Sequence, residues 1–111
     1  MTADELTRDY LEVIADAPCT ATYAGADVVG TRGGITESQR FMEGGMLEEP
    51  DLQFTTTLSK LDESDDLIDR FTTVPSKGEQ LTIDSVAYRI ERVITDEYEA
   101  CIQFDLMSVH R

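Results

Sequence analysis

The sequence contains very little of what disulfide-rich, metal-binding and redox proteins use. It has two cysteines, one histidine and no tryptophan in 111 residues. Cys19 and Cys101 lie far apart in the chain, so we expect reduced thiols and no disulfide framework. Two cysteines and the penultimate His110 do not have the spacing of a metal site. We therefore expect neither a metal nor any other cofactor.

Long hydrophobic runs are also missing. No segment approaches the roughly eighteen apolar residues that would cross a bilayer. The opening residues, MTADELTRDY, have neither the basic start nor the apolar stretch of an export signal. We expect a soluble intracellular product without a membrane partner. Residues 1–111 suit a single domain, which at this length buries roughly two thirds of its unfolded surface.

Positive charge is scarce, with 9 basic against 23 acidic residues and a formal net charge of −14. Residues 1–69 carry sixteen acids and four bases, whereas residues 70–111 carry seven and five. A strongly acidic protein repels phosphate backbones, so ordinary nucleic-acid binding is disfavoured. The excess of acids serves either solubility alone or a specific electrostatic role.

Residues for nucleophilic catalysis are not evident. A nucleophile needs a nearby base, and the single histidine stands almost at the chain end, where chains usually fray. The glycine pairs in GTRGG and EGG lack the lysine and the serine or threonine of a phosphate-binding loop. We therefore assign no catalytic residue and expect no enzymatic activity. A small enzyme using two carboxylates is a remaining alternative.

The first half of the chain predicts one helix and an interrupted strand. Thr2 and Glu5 have capping-box spacing, apolar residues then recur at helical intervals, and Pro18 prevents continuation, so we expect a helix over about residues 3–16. Small and β-branched residues follow, with a break near Gly25. A long loop over about 31–49 comes next, for which disorder and an unrecognised strand are the alternatives.

Residues 51–59, DLQFTTTLS, alternate in polarity and predict a half-buried strand. Leu52, Phe54, Thr56 and Leu58 occupy one face. The following KLDESDDLIDRF indicates a short helix or turn capped by acids. A calcium loop is a weaker interpretation, because the central glycine of the twelve-residue ligand pattern is missing.

The C-terminal part predicts a three-stranded meander over about residues 79–109. Leu81 and Ile83 alternate with polar neighbours before the Asp84-Ser85 turn, and a second strand then follows. In the third strand we expect Gln103 and Asp105 to point outward. Val93 and Ile94 are adjacent apolar residues out of step with Ile90, which indicates a bulge where the second strand bends over the core. The fold class is therefore mainly β (α+β), a small antiparallel β-barrel or sandwich with an N-terminal helix and a long inserted loop.

The C-terminal motifs occur in a characteristic order: Lys77-Gly78-Glu79 before a short strand, Tyr88 and Val93 in the second strand, Asp96 in an acidic turn, and a last apolar strand over 102–106. This order of elements resembles the lambda-type head-tail joining family, the head-completion or stopper connectors of long-tailed bacteriophages. The likeness covers residues 50–109, and the N-terminal half only in element order. Asp84-Ser85 stands where that family often has glycine, so the turn type is left open.

The resemblance implies a structural virion protein of the neck, made in the host cytoplasm, which closes the DNA-filled head and joins it to the tail. It implies a homo-oligomeric ring, a hexamer or dodecamer, with the portal or adaptor on one side and the tail terminator or tail tube on the other. Packaged DNA would pass through without specific binding.

Two sets of residues are candidates within such a ring. The loop supplies interface candidates, and an acidic segment supplies channel-facing candidates whose charge would keep DNA from adhering. The interface candidates are Arg32, Ile35, Arg40, Phe41, Met42 and Met46, and the channel candidates are Asp62, Glu63, Asp65 and Asp66. Two other functions stay open: a tail terminator or other neck or tail ring protein, and an acidic inhibitor that mimics DNA.

Overall fold

The computed structural model describes residues 2–33 and 51–109. This part of the chain forms one helix, α1, and eight strands. Their bounds are α1 Ala3–Asp16, β1 Cys19–Tyr23, β2 Ala26–Arg32, β3 Leu52–Thr57, β4 Ser59–Leu61, β5 Leu67–Asp69, β6 Gln80–Ile83, β7 Val86–Thr95 and β8 Cys101–Ser108. The predicted helix and the three-stranded meander are both confirmed.

Six strands form a closed antiparallel barrel in the order β1-β2-β3-β8-β7-β6, and β4 and β5 pair separately. Closure depends on the pairing of β1 with β6, where Ala21 lies opposite Ile83 and Thr22 opposite Thr82. This contact joins the first hairpin to the C-terminal meander. The mainly β fold with an N-terminal helix is confirmed, and its form is a barrel.

The barrel interior holds the hydrophobic core. Phe54 of β3 lies directly opposite Phe104 of β8, and both are fully buried. Most apolar positions that alternate along the meander are buried as predicted, with Tyr88 partly buried at the edge of the core. Val86, at the start of β7 and on the same side of the strand as Tyr88 and Ile90, is an exception, because it is 38% exposed. The buried core cluster comprises Ala21, Val28, Phe54, Leu81, Ile83, Ile90, Ile102, Phe104 and Leu106.

Two tight turns connect the hairpins β1-β2 and β6-β7. In the second, Ile83 pairs with Val86, and the two residues between them, Asp84 and Ser85, have φ of 51° and 66°. Positive φ at both central positions is the type I′ turn, whose twist matches the twist of paired strands. The pairing of the flanking strands therefore determines the turn type, which residue identity left open.

Strand β7 contains a bulge. Its register with β8 shifts between Ile90 and Arg92, which leaves Glu91 as an extra residue. The predicted bulge is confirmed, and it lies between Ile90 and the Val93-Ile94 pair. A bulge bends a strand and increases its twist, which helps a short sheet to close. The shift also returns Val93 to a position against the core.

The prediction that β3 is half-buried is wrong, and Gln103 and Asp105, which were predicted to point outward, are buried. Thr55 and Thr57 on the second face of β3 are fully buried, and Gln103 and Asp105 are 2% and 6% exposed. Helix α1 packs against β2 and β3, which covers part of the outer surface of the barrel. In β3 and β8, alternation of apolar and polar residues therefore does not predict that the polar side chains are exposed to solvent.

The buried polar residues of β8 are stabilised by hydrogen bonds. Gln103 Nε2 donates to Asp105 Oδ1 at 2.7 Å, and Gln53 Nε2 donates to the same oxygen at 3.2 Å. Arg92 Nε donates to Asp105 Oδ2 at 3.2 Å. A buried carboxylate is costly unless it is paired, so this network is what allows a polar residue at position 105.

Two further predictions need correction. The loop predicted to begin at residue 31 begins later, because β2 continues through Arg32; residues 34–49 of that loop lie outside the described part of the chain. For the segment KLDESDDLIDRF the turn alternative is confirmed and the helix is wrong, because residues 62–66 connect the two short strands of a hairpin. Four acids at residues 62–66 disfavour burial of any helical face, whereas Leu61 and Leu67 can pair across two short strands.

The two thiols are expected to differ in reactivity. Cys101 is fully buried, and burial together with the nearby Asp96 carboxylate raises the pKa of its thiol to about 12, whereas Cys19 is partly exposed. Because the thiolate is the reacting species, one thiol per native chain should react with Ellman's reagent at pH 8 and the second only after denaturation. Cys19→Ser should abolish the native reaction. Equal rates for both thiols would contradict this assignment.

Candidate functional site

Helix α1 and the hairpin Ser59–Asp69 form one acidic face of the protein. The helix carries five carboxylates and one arginine, and the hairpin carries five carboxylates and one lysine. The two elements contact each other where Arg8 Nη2 donates a hydrogen bond to the Asp65 carbonyl oxygen at 3.2 Å. We call these two elements the acidic face.

The orientation of α1 exposes its charged residues. Thr2 Oγ1 accepts a hydrogen bond from the Glu5 backbone N–H at 3.2 Å, which begins the helix as the capping box predicts. Ile14 is buried and Tyr10 is partly buried on the inner side. Burial, followed by the proximity of Cys101 and Asp96, raises the pKa of Tyr10. The inner side thus lies toward β8, which leaves the carboxylates facing solvent.

The four channel candidates all lie in the turn of the hairpin, and they have two different roles. Asp62 Oδ1 accepts hydrogen bonds from the backbone N–H groups of Ser64 at 2.8 Å and Asp66 at 2.9 Å. Asp62 therefore organises the turn. Glu63, Asp65 and Asp66 are exposed, and they supply the accessible negative charge.

Arg70 attaches this hairpin to the barrel. Its Nε donates to the Thr57 carbonyl oxygen at 2.8 Å and its Nη2 to Thr57 Oγ1 at 3.0 Å. Burial lowers the pKa of the Arg70 guanidinium. Its backbone N–H also donates to the Leu58 carbonyl oxygen at 2.9 Å. These bonds hold the acidic turn at a defined position relative to β3.

The interface candidate Arg32 lies at a different place, at the end of β2 where residues 34–50 connect to the barrel. Its Nη2 lies 2.7 Å from Asp84 Oδ2 in the β6-β7 turn. A hydrogen bond with the Cys19 side chain, and secondarily the Asp84 carboxylate, raise the pKa of Arg32. The pair is exposed to solvent, so it contributes little to stability.

The two ends of the inserted segment are held close to the barrel. The Gly33 N–H donates to the Gln53 carbonyl oxygen at 2.9 Å. On the other side, an Asp51 carboxylate oxygen accepts from the Ser108 N–H at 2.8 Å. The other five interface candidates, Ile35, Arg40, Phe41, Met42 and Met46, lie outside the described residues.

Within residues 2–33 and 51–109, no group of three or more histidine, cysteine, aspartate or glutamate side chains is placed to hold a metal ion. In the same part of the chain, no helix is long and apolar enough to cross a membrane. His110 lies beyond the last described residue.

Sequence reasoning missed the meeting of α1 with the hairpin. Arg8 and Asp65 are 57 residues apart, and no local periodicity relates such positions. Only the matching excess of acids in both segments could have suggested a shared surface.

Comparison of the chain with protein-family models, curated proteins and solved structures found no match.

Proposed function

We propose that this protein is a structural component of the bacteriophage neck, a head-completion connector that forms a ring between the head and the tail. The observation that supports it most is the arrangement of the chain: a closed barrel with residues 34–50 inserted between β2 and β3 at one end. The C-terminal strands also follow the order of elements on which the resemblance to the lambda-type head-tail joining family rests.

Closure of the barrel limits how copies can associate. All six barrel strands are paired on both sides, so strand addition at an open edge is not available to the barrel. Association would use side chains and the inserted segment, whose sequence GITESQRFMEGGMLEEP contains five large apolar residues among charges. Contact between that segment and a different surface of the next copy would be a heterologous interface, which generates a ring when the rotation between copies closes.

The acidic turn fits a passage for DNA. Glu63, Asp65 and Asp66 are exposed in the hairpin turn, and like charges repel a phosphate backbone. In the proposed ring these side chains line the channel, with Asp62 holding the turn. DNA would then move through the ring without being retained.

Electron microscopy of phage particles assembled without the protein tests the proposal. Filled heads beside complete free tails are the expected result, because a connector acts after both parts are built. Tails of uncontrolled length would identify a tail terminator instead. Normal, infectious particles would overturn any role in the neck.

Substitutions separate the ring from the barrel itself. Phe41→Asp should abolish ring formation with the portal in native mass spectrometry while thermal unfolding stays unchanged. Val86→Asp places the same charge on an exposed barrel position and should leave the ring intact. Loss of rings with Val86→Asp, but not with Phe41→Asp, would contradict the assignment of the inserted segment to the interface between copies.

An acidic inhibitor that mimics DNA is a second candidate, favoured by the concentration of ten carboxylates on the acidic face. Such an inhibitor would bind a DNA-binding enzyme stoichiometrically, in competition with DNA. Replacement of Glu63, Asp65 and Asp66 by their amides should then weaken that competition strongly. Inhibition that is unchanged in the triple variant, or absent from the original protein, would reject this candidate.

A further inference from the structure

A groove lies on the acidic face between α1 and the hairpin Ser59–Asp69. Its volume is about 330 Å³, and its lining consists of Arg8, Leu11, Glu12, Ala15 and Leu61. The four helical positions recur at intervals of three and four residues, which places them along one side of α1. Leu61 closes the groove from the hairpin side.

The floor of the groove is apolar although the surface around it is charged. Leu61 is 39% exposed, and Ala15 is also exposed. Leu11, Ala15 and Leu61 offer contact to an apolar side chain, and the volume falls at the lower end of the range for small binding sites. An exposed apolar groove with a charged rim is a typical place for a partner segment to bind.

We propose that this groove binds a positively charged, amphipathic segment of another protein. One or two of its apolar side chains would occupy the space between Leu11, Ala15 and Leu61. Its lysine or arginine residues would face Glu12 and the neighbouring carboxylates of the acidic face. This inference does not depend on ring formation.

Charge complementarity selects this occupant. Nucleic acid and anionic membrane surfaces carry the same sign as the groove rim, so both are disfavoured. A second copy of the chain carries a net charge of −14, which opposes binding of one copy in the groove of another. The apolar floor also separates carboxylates of the acidic face from one another. A partner with evenly spaced cations would therefore complement the groove less well than an amphipathic segment would.

Arg8 keeps its positive charge, so it makes one end of the groove less favourable for a cation. Its Nη2 donates to the Asp65 carbonyl oxygen, which holds this charge at the hairpin turn. Glu12, one helical turn further on, is exposed on the same side of α1. The helix therefore presents negative charge at one end of the groove and apolar surface in the middle.

Fluorescence anisotropy with a labelled peptide tests the inference. The probe is a helical peptide of about four turns, with leucine at every third or fourth position and lysine elsewhere. Saturable binding to the full chain at low salt is expected, weakened by about tenfold or more in Ala15→Trp, which fills the groove, and in Glu12→Lys. Asp9→Lys is the matched control, since it changes the charge of α1 equally but does not line the groove.

Each other outcome overturns the inference. Equal weakening by Asp9→Lys and Glu12→Lys would mean diffuse attraction to the acidic face, as would equal affinity for oligolysine of the same length. Absence of saturable binding would reject the site. Sedimentation that shows self-association dissolved by Ala15→Trp would identify a second copy as the occupant. Should Ala15→Trp fail to fold by circular dichroism, Leu61→Ser takes its place.

Discussion

Replacing Phe104 by alanine is expected to lower the free energy of unfolding by about 3–5 kcal/mol. Phe104 is fully buried in β8, directly opposite Phe54 of β3. Truncation removes a large apolar side chain and leaves a cavity that a closed barrel cannot easily fill, because its six strands restrict one another. Urea denaturation followed by circular dichroism would measure the change, and the melting temperature should fall by roughly 4 °C or more for each kcal/mol.

Val86→Ala is the control for this prediction. Val86 lies on β7 of the same meander but is 38% exposed, so its truncation should change the free energy of unfolding by less than about 1 kcal/mol. Similar losses for Phe104→Ala and Val86→Ala would contradict the placement of the core inside the barrel.

Gly30→Ala is expected to destabilise the protein by about 3 kcal/mol, near the upper end of the usual effect of overpacking. A Cβ atom at this position would overlap the Thr55 carbonyl oxygen and lie 2.6 Å from Cζ of Phe54. One of these atoms is backbone in a paired strand and the other is part of the core. Neither can move without disturbing β3, so the added methyl group cannot be accommodated locally.

Gly25→Asn distinguishes this packing effect from the general cost of replacing glycine. Gly25 lies in the β1-β2 turn at a φ of 83°, and a Cβ there would meet nothing within 4 Å. Asparagine tolerates this backbone conformation, so the loss should be small. If the contact with the Thr55 carbonyl oxygen dominates, adding Phe54→Leu to Gly30→Ala should restore none of the lost free energy of unfolding. If the contact with the Phe54 ring dominates, the second substitution should restore part of it. A Gly30→Ala protein as stable as the original would rule out the close approach of β2 to β3.

The elements that depend on near neighbours were predictable. The capping box at Thr2 and Glu5 and the apolar spacing behind it determined α1, because each contact joins residues three or four apart. The alternation in residues 80–108 determined the inward face of the meander for the same reason, since strand geometry alone places every second side chain on one side.

The candidate sites were predictable only as segments. The acids at 62–66 were recognisable by their density, but the division of work between Asp62, which organises the turn, and its exposed neighbours depends on hydrogen bonds within the folded hairpin. Arg32 was assigned to a loop and lies at the end of a strand, where it pairs with Asp84, a residue 52 positions away. The groove between α1 and Leu61 had no signal in either segment.

By itself, the sequence determined the helix, the meander and the negative charge of this protein, because helical spacing, strand alternation and composition act through residues that are near in the chain. The tertiary structure alone decided the closure of the barrel through β1 and β6, the burial of Gln103 and Asp105, and the joining of α1 to the acidic hairpin. Each of these depends on surfaces that meet only after distant segments have packed. The polarity pattern of one segment does not predict which other element will cover that segment.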